Sequence, residues 1–485
     1  MPPISPQATR PNIIDESRVF EIQELFFSTT DKRGRIRSSN EIFVRVSGFP
    51  AGELRNRPHN IIRHPDMPRV IFQLLWSEIE SEREILAYVK NRAKDGRYYW
   101  VVALVSPIEG GYLSVRFKPS SELFPVVRNL YRELGELESS AENAGAGKAA
   151  GMVKSRAALD DRLHELGFAD YRAFMHSAFE RELRSREAAL MKRRGGYEKK
   201  QTDGDSTRKG TAADAARGVV VACEEALSAL ARLFNELEVY SSLNEGIRSK
   251  AGFVASLSHS IRMLSLNGTV EAEQLGTTGC GIGRVLDWLQ TFSSDIREGC
   301  DNLTTPLARL NSDINSVIFA LNSAKLQIEM TTDFAVETLR AAAGDTGQKE
   351  GIESGAMRDL YGCSRNTVER ALAALAAVEG KLHALDGVQR SIWKSIRSLR
   401  LIYLKGKIEL ASVASERLGI VFDDMNRHLT DTEGNLSALE SLIEELHKEL
   451  RRGVQHSAPI ERAVRKIDPG AAEGAADSGG ECTAA

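Results

Sequence analysis

From residue 20 to residue 119 the apolar positions fall in short runs that suit strands, separated by polar turn residues. The stretch "FFSTTDKRGRIRSS" reads as strand, turn, strand, with the turn at Asp31 to Gly34. "NEIFVRVSGFPAGELRNRP" reads as short helices broken at Gly48 and Pro50. "ILAYVKNRAKDGRYYWVVALVSP" gives two strands joined through Asp95 and Gly96, a hairpin signal. "GGYLSVRFKP" adds one more strand. The order is two strands, helices, then three strands, which predicts an α+β domain over 20–119 preceded by a flexible 1–19.

Beyond residue 120 the apolar spacing lengthens to three and four, the period of a helix. It runs through Leu159, Leu163 and Leu166, then Tyr171, Met175, Phe179 and Leu183, so 120–194 reads as a helical linker around the small-residue stretch 139–151. Residues 195–214 carry almost no apolar side chains and read as disordered. The helical period resumes at Leu227, Leu230 and Phe234 and again at Val254, Leu257 and Ile261. It is cleanest at Leu429, Leu436, Leu439, Ile443, Leu446 and Leu450, a coiled-coil-like seam. A long antiparallel helical bundle is expected over 215–460, with a loop at 341–357 and a disordered tail at 461–485.

Composition narrows the functional classes. Two or three domains are expected from 485 residues. Lysine and arginine total 64 against 67 acidic residues, which gives no case for nucleic-acid binding. The five cysteines (Cys223, Cys280, Cys300, Cys363, Cys482) are scattered, with no CxxC, and read as reduced thiols. No apolar run approaches the ~20 residues of a membrane helix, and the first residues carry no apolar signal-peptide core. A cytoplasmic protein is therefore expected. The nine histidines are dispersed, without HExxH, and no nucleophile elbow or P-loop is present. No enzymatic activity and no metal site are expected.

"NIIRHPDMPRVIFQLLW" (60–76) is the most unusual stretch. Asp66 precedes a helix carrying Val70, Ile71, Leu74 and Leu75, so it suits an N-cap, with proline in the first turn. Arg63 and His64 stand just outside that helix, where backbone N–H groups favour an anion. Taken alone they also fit a surface cation pair.

The wider pattern resembles a known family. "STTDKRGRIRSSNEIFVRVSGFP", "PHNIIRHPDMPRVIFQLLW", "VKNRAKDGRYYWV" and "GYLSVRFKP" together resemble the sensory PAS domain of aerotaxis receptors, over about 26–119. The resemblance implies a five-stranded antiparallel sheet with short helices and a non-covalently held FAD. It implies that Asn40, Arg63, His64 and Asp66 help hold the flavin, and that Asn91, Tyr99 and Trp100 line or support its pocket. Ile85 stands where the family often has tryptophan, and Phe117 where it has a small hydroxyl residue. A haem-binding PAS domain with His64 as axial ligand ranks below flavin, because the matched family uses this histidine for flavin.

"SIRMLSLNGTVEAEQLGTTGCGIGRVLDWLQTFSSDIR" (260–297) reads as two helices joined by a glycine-rich reversal near 276–283. Leu264, Leu266, Asn267, Val270, Glu271, Ala272, Gly276, Gly279 and Gly281 resemble the hairpin tip of the chemoreceptor (methyl-accepting) signalling domain. Gln274, Thr277 and Cys280 stand where that family has charged tip residues. Residues 260–272 align without gaps to 398–410, and "LGIVFDDM" (418–425) resembles a second worn tip. A second decayed hairpin is expected over 380–450, so one chain could build internally a bundle that the family builds as a dimer.

The expected function is a PAS-based signal-transduction sensor, with flavin for redox or oxygen sensing, relaying to the receptor-like helices. The alternative is a cofactor-free scaffold acting only through protein contacts. The partner is a signalling protein. Chemotaxis components fit the resemblance, but direct kinase activation is not expected, given the lost tip charges.

Overall fold

The computed structural model describes residues 13–194, 211–342, 354–413 and 415–467. The disorder expected at 195–214 and 461–485 falls largely outside them, but 211–214 and 461–465 are described and are helical. The chain divides into two compact units. The first comprises Met1–Leu230, Phe319–Glu369 and Pro459–Ala485, and the second Ala231–Ile318 and Arg370–Ala458.

The first unit is built on a five-stranded antiparallel sheet. In chain order come β1 (Phe26–Asp31), β2 (Ile36–Ser39), α1 (Glu41–Ser47), α2 (Ala51–Leu54), a 3-10 turn (His59–Ile62), α3 (Arg69–Glu80), β3 (Ile85–Arg92), β4 (Tyr98–Ile108) and β5 (Gly111–Phe117). The spatial order is β2-β1-β5-β4-β3. Both expected turns form as read. Asp31 Oδ1 accepts from the Arg33 and Arg35 amides at 2.9 Å, and Gly96 takes the left-handed conformation between β3 and β4. Residues 14–18 are not a free terminus: Tyr98 donates to the Glu16 carbonyl, and the Ile14 and Arg18 amides donate to the Gly96 and Tyr98 carbonyls.

Both faces of the sheet are buried, and the segment expected to be a linker is the reason. Helices α4 (Leu123–Asn143), α5 (Gly147–Glu165) and α6 (Tyr171–Arg194) belong to the sheet's own core. Leu159, Leu163, Met175, Phe179 and Leu183 are buried as their spacing requires, whereas Leu166 is exposed. Phe319, Leu326, Met330 and Phe334 of α8 (Cys280–Ala342) and Leu360 of α9 (Ser354–Leu410) join the same cluster. The segment expected to be wholly a separate bundle thus contributes to both units.

Two buried glutamates lock these helices in place. Glu182 of α6 accepts from the Tyr88 hydroxyl and the Ser121 hydroxyl, both at 2.8 Å, and from the Ser120 and Ser121 amides ahead of α4. Glu138 of α4 accepts from the Arg69 and Val70 amides at 2.8 and 3.0 Å, filling the N-terminus of α3. The expected N-cap, Asp66, does not fill this role. Pro68 holds the cap position without a side-chain bond, and Asp66 turns outward to Lys90 Nζ at 2.6 Å. A carboxylate from a distant helix replaced the local one because it arrives along the helix axis, onto the free N–H groups.

The second unit is an antiparallel four-helix bundle. It uses α7 (Thr211–Gln274) from residue 231, α8 to residue 318, α9 from residue 370 and α10 (Glu416–Gln455). A short α11 (Ser457–Arg465) follows. The reversal between α7 and α8 is a 3-10 turn at Gly276–Gly279, and helix resumes at Cys280. Helix α9 ends at Leu410, and α10 begins at Glu416, capped by Ser415. "LGIVFDDM" is therefore not a tip but the first turns of α10, with Leu418, Phe422 and Met425 buried. The seam from Leu429 to Leu450 is buried throughout, as its period demands.

The internal echo has a physical basis. Gly268 and Gly406 are equivalent positions of the two repeats. A Cβ on Gly268 would meet Leu286 of its own return helix and Val421 of the other hairpin, at 3.0 and 3.3 Å. A Cβ on Gly406 would meet Phe422 of its own return helix and Val285 of the other, at 2.4 and 2.7 Å. Each glycine lets two neighbouring helices approach. The outward faces repeat too: Met263, Leu266 and Val270, like Leu401, Leu404 and Ile408, are exposed.

Two outcomes follow from this packing. Gly406→Ala is expected to destabilise the bundle by about 1–3 kcal/mol through overpacking, and more than Gly268→Ala, in thermal unfolding. Glu182→Ala is expected to cost about 3 kcal/mol or more, since it strands several buried donors. Equal melting temperatures for that variant and the parent chain would contradict the role given to Glu182.

Candidate functional site

Alternation along the strands divides the sheet into two sets of side chains. Ser28, Thr30, Val89, Asn91, Ala103, Val105, Tyr112, Ser114 and Arg116 face a cavity of about 300 Å³. Phe27, Tyr88, Trp100 and Phe117 face the helices. Phe27 packs on Phe334 with ring centres 4.9 Å apart, and Tyr88 stacks with Phe124. Trp100 meets Phe124 and Tyr131, and Phe117 meets Phe179. The far wall of the cavity comes from α3, through Phe72, Leu75, Trp76 and Ile79.

The polar groups of the cavity centre on Arg116, which is 3% exposed. Its guanidinium donates to Ser28 Oγ at 3.0 Å and to His59 Nε2 at 2.7 Å, and lies over the Phe43 ring. No carboxylate pairs with it among the described residues. Burial pushes its pKa down to about 10. His59 is pushed down to about 3, first by burial and then by the Arg116 charge, so it stays neutral and accepts a hydrogen bond from Arg116. Asn91 Nδ2 and Ser114 Oγ are buried beside them without a hydrogen-bond partner. A cavity with apolar walls, a buried cation without a carboxylate partner and two unpaired polar groups suits a ligand with an apolar body and an electron-rich polar edge.

A groove of about 680 Å³ lies on the other side of Arg63, which lines both spaces. The Arg63 guanidinium stacks on Phe72, 4.1 Å from the ring centre. Lys90, Arg69, Arg128 and Arg132 line the groove, with Asp66 and Trp100.

The seven expected site residues therefore separate. Arg63 and Asn91 line the cavity, and Asp66 and Trp100 line only the groove. Asn40, His64 and Tyr99 line neither. Asn40 caps α1 and ties it to β1: its Oδ1 accepts from the Phe43 and Phe27 amides, and its Nδ2 donates to the Leu25 carbonyl. Tyr99 is core, edge-on to Phe26. His64 is not half of a cation pair. It is 1% exposed, and burial followed by the Lys90 charge lowers its pKa to about 4. Its Nδ1 accepts from the Asp66 amide. The two family departures also resolve: Phe117 points away from the cavity toward α6, and Ile85 does not line it. Arg116, His59 and Trp76 were not among the expected site residues. The period-2 pattern puts Arg116 on the same face as Ser114, but which face holds the cavity depended on the helices.

Comparisons with known proteins bear on the first unit. Residues 36–114 match the family described as PAS fold, so this part of the chain is a PAS domain. Over 132 residues the chain is 36% identical to the aerotaxis receptor of Escherichia coli, a match covering 26% of each protein. Over 81 residues it is 28% identical to a nitrogen fixation regulatory protein of Klebsiella pneumoniae, covering 17% of this chain and 16% of that one. The matched stretches thus span about a quarter or less of these relatives. Among solved structures, a PAS domain from Colwellia psychrerythraea is similar at 20% identity with a TM-score of 0.18, over 19% of this chain and 85% of that one. A fungal LOV-domain photoreceptor is similar at 20% identity and the same TM-score, over 23% of this chain and 83% of that one. The family match ends at residue 114, ahead of the helical bundle. No helix among the described residues is long and apolar enough to cross a membrane.

The neutral His59 has a consequence for pH. An unfolded histidine titrates near 6.5, whereas the folded one titrates near 3. The unfolded chain therefore binds the extra proton, and stability falls as pH drops through that window. His64 and His176, both lowered to about 4, act in the same direction. His59→Phe is expected to flatten part of this acid limb in denaturant unfolding between pH 4 and pH 7. An unchanged slope would show that His59 does not carry it.

Proposed function

We propose that the first unit is a flavin-binding redox sensor and that the helical bundle is its output, working by docking protein partners rather than by catalysis. The observation that carries this reading is the buried, carboxylate-free Arg116 in a cavity walled by Phe72, Leu75 and Trp76. Arg116 and Asn91 Nδ2 can donate to the carbonyl-rich edge of an isoalloxazine, while Phe72 and Trp76 cover its apolar rings. The residues present thus fit the group, which when bound supplies reversible electron uptake. In the groove beyond Arg63, Arg128 and Arg132 suit the diphosphate of FAD. Similarity to an aerotaxis receptor supports a signalling role. Haem fits less well: His64 does not line the cavity, and the one histidine that does is held by Arg116.

The relay follows from strand alternation. Ser28 bonds Arg116 on the cavity side, and its neighbour Phe27 packs on Phe334 of α8. A second link ties the sheet to the same helices. Glu84 Oε1 accepts from Ser106 Oγ, Gln327 Nε2 and Thr367 Oγ1 at 2.8–3.1 Å, joining β4, α8 and α9. A changed charge at the cavity edge that re-aims Arg116 would bias both. The output end supports a partner other than the chemotaxis kinase. Its tip residues Gln274, Thr277 and Cys280 are exposed and uncharged, and the paired apolar stripes beside it suit protein contact. These stripes also suit a scaffold, the second reading.

The test is the absorption spectrum of the purified chain. Flavin bands are expected, at least tenfold weaker in Arg116→Met and Arg63→Ala and unchanged in Phe117→Leu, which alters the opposite face and lines neither the cavity nor the groove. A colourless protein would favour the scaffold, and a Soret band would favour haem. Phe334→Ala is expected to keep flavin yet lose redox-dependent changes in hydrogen exchange of α8. Redox-dependent activation of a reconstituted chemotaxis kinase by this protein alone would overturn the proposed output.

A further inference from the structure

The bundle unit gathers two of the dispersed histidines around one carboxylate. His383 and Asp386 stand three residues apart on α9, and His447 approaches from α10. His447 Nε2 lies 3.0 Å from Asp386 Oδ1, and His383 Nδ1 lies 3.6 Å from Asp386 Oδ2. The two imidazole rings are 5.1 Å apart. One potential ligand atom from each residue falls within 4.8 Å of the other two, and among the described residues no other group of three such side chains does so.

Two basic residues close in sequence to the cluster are paired elsewhere. Lys381 is held by Asp313 at 2.7 Å, and Arg451 is drawn to Glu379 at 3.8 Å. Atoms bonded to a tetrahedral ion at about 2.1 Å stand about 3.4 Å apart, and the two contacts to Asp386 bracket that spacing. Two imidazoles and a carboxylate are borderline ligands that suit zinc, cobalt, nickel or copper, whereas calcium and magnesium take all-oxygen shells. His383 is more than half exposed, so water has access to the remaining coordination position.

We propose that His383, Asp386 and His447 form a binding site for a zinc-type divalent transition ion that ties α9 to α10. An ion bound only by the folded hairpin raises its stability by mass action, making the bundle's rigidity depend on metal. The inference is independent of flavin binding.

The experiment uses the full chain after chelator treatment and desalting. Titration calorimetry with zinc chloride is expected to give one equivalent per chain, with a rise in melting temperature that magnesium chloride does not produce. Cobalt(II) chloride should give visible d–d bands of tetrahedral intensity. His383→Ala and His447→Ala should each weaken zinc binding at least tenfold, and the double variant should abolish the cobalt bands. His259→Ala, on α7, should change neither. Far-UV circular dichroism without metal checks that the variants stay folded, and Asp386→Asn gives a second, gentler probe of the same site. Stoichiometric binding that survives the double variant, or no binding tighter than millimolar in the parent chain, would overturn the proposal.

Discussion

The first unit depends on one constraint: a sheet buried on both faces, in which neighbouring residues of a strand serve opposite sides. On β5, Tyr112, Ser114 and Arg116 build the cavity while Leu113, Val115 and Phe117 build the seat for the helices. No strand residue can move toward one side without its neighbour moving on the other. The cavity and the seat for the helices therefore share a single layer of backbone, and the same geometry that isolates Arg116 from water places Phe27 against α8.

Closing both faces required polar groups in dry places. Glu182 and Glu138 are acceptable there because each is surrounded by donors, including backbone N–H groups that have no partner in their own helix. These bonds turn a segment that looks like a linker into part of the core. Arg116 shows the opposite case. It is buried with neutral partners only, an arrangement that costs free energy.

The bundle shows repetition in a single chain. Equivalent glycines sit where one helix meets two others, and equivalent apolar residues lie outside. Such duplication satisfies the interior with one pattern used twice, and it leaves the outer stripes available for association.

Period and turn chemistry determined much of this protein from the sequence alone. The strand runs, the Asp31 and Asp95–Gly96 turns, the antiparallel helices and the glycine-bearing repeat were all legible, because each rests on residues close together in the chain. The family pattern pointed to the correct domain and to Arg63 and Asn91 in its cavity. Only the tertiary structure decided what depends on distant residues meeting. It gave the α3 cap to Glu138 rather than Asp66, and neutralised His64 by burial. It moved Trp100 and Phe117 off the cavity face, joined 120–194 to the sheet, and brought His383 and His447 to one carboxylate. Burial and long-range hydrogen bonds set these outcomes, and neither is encoded in local spacing.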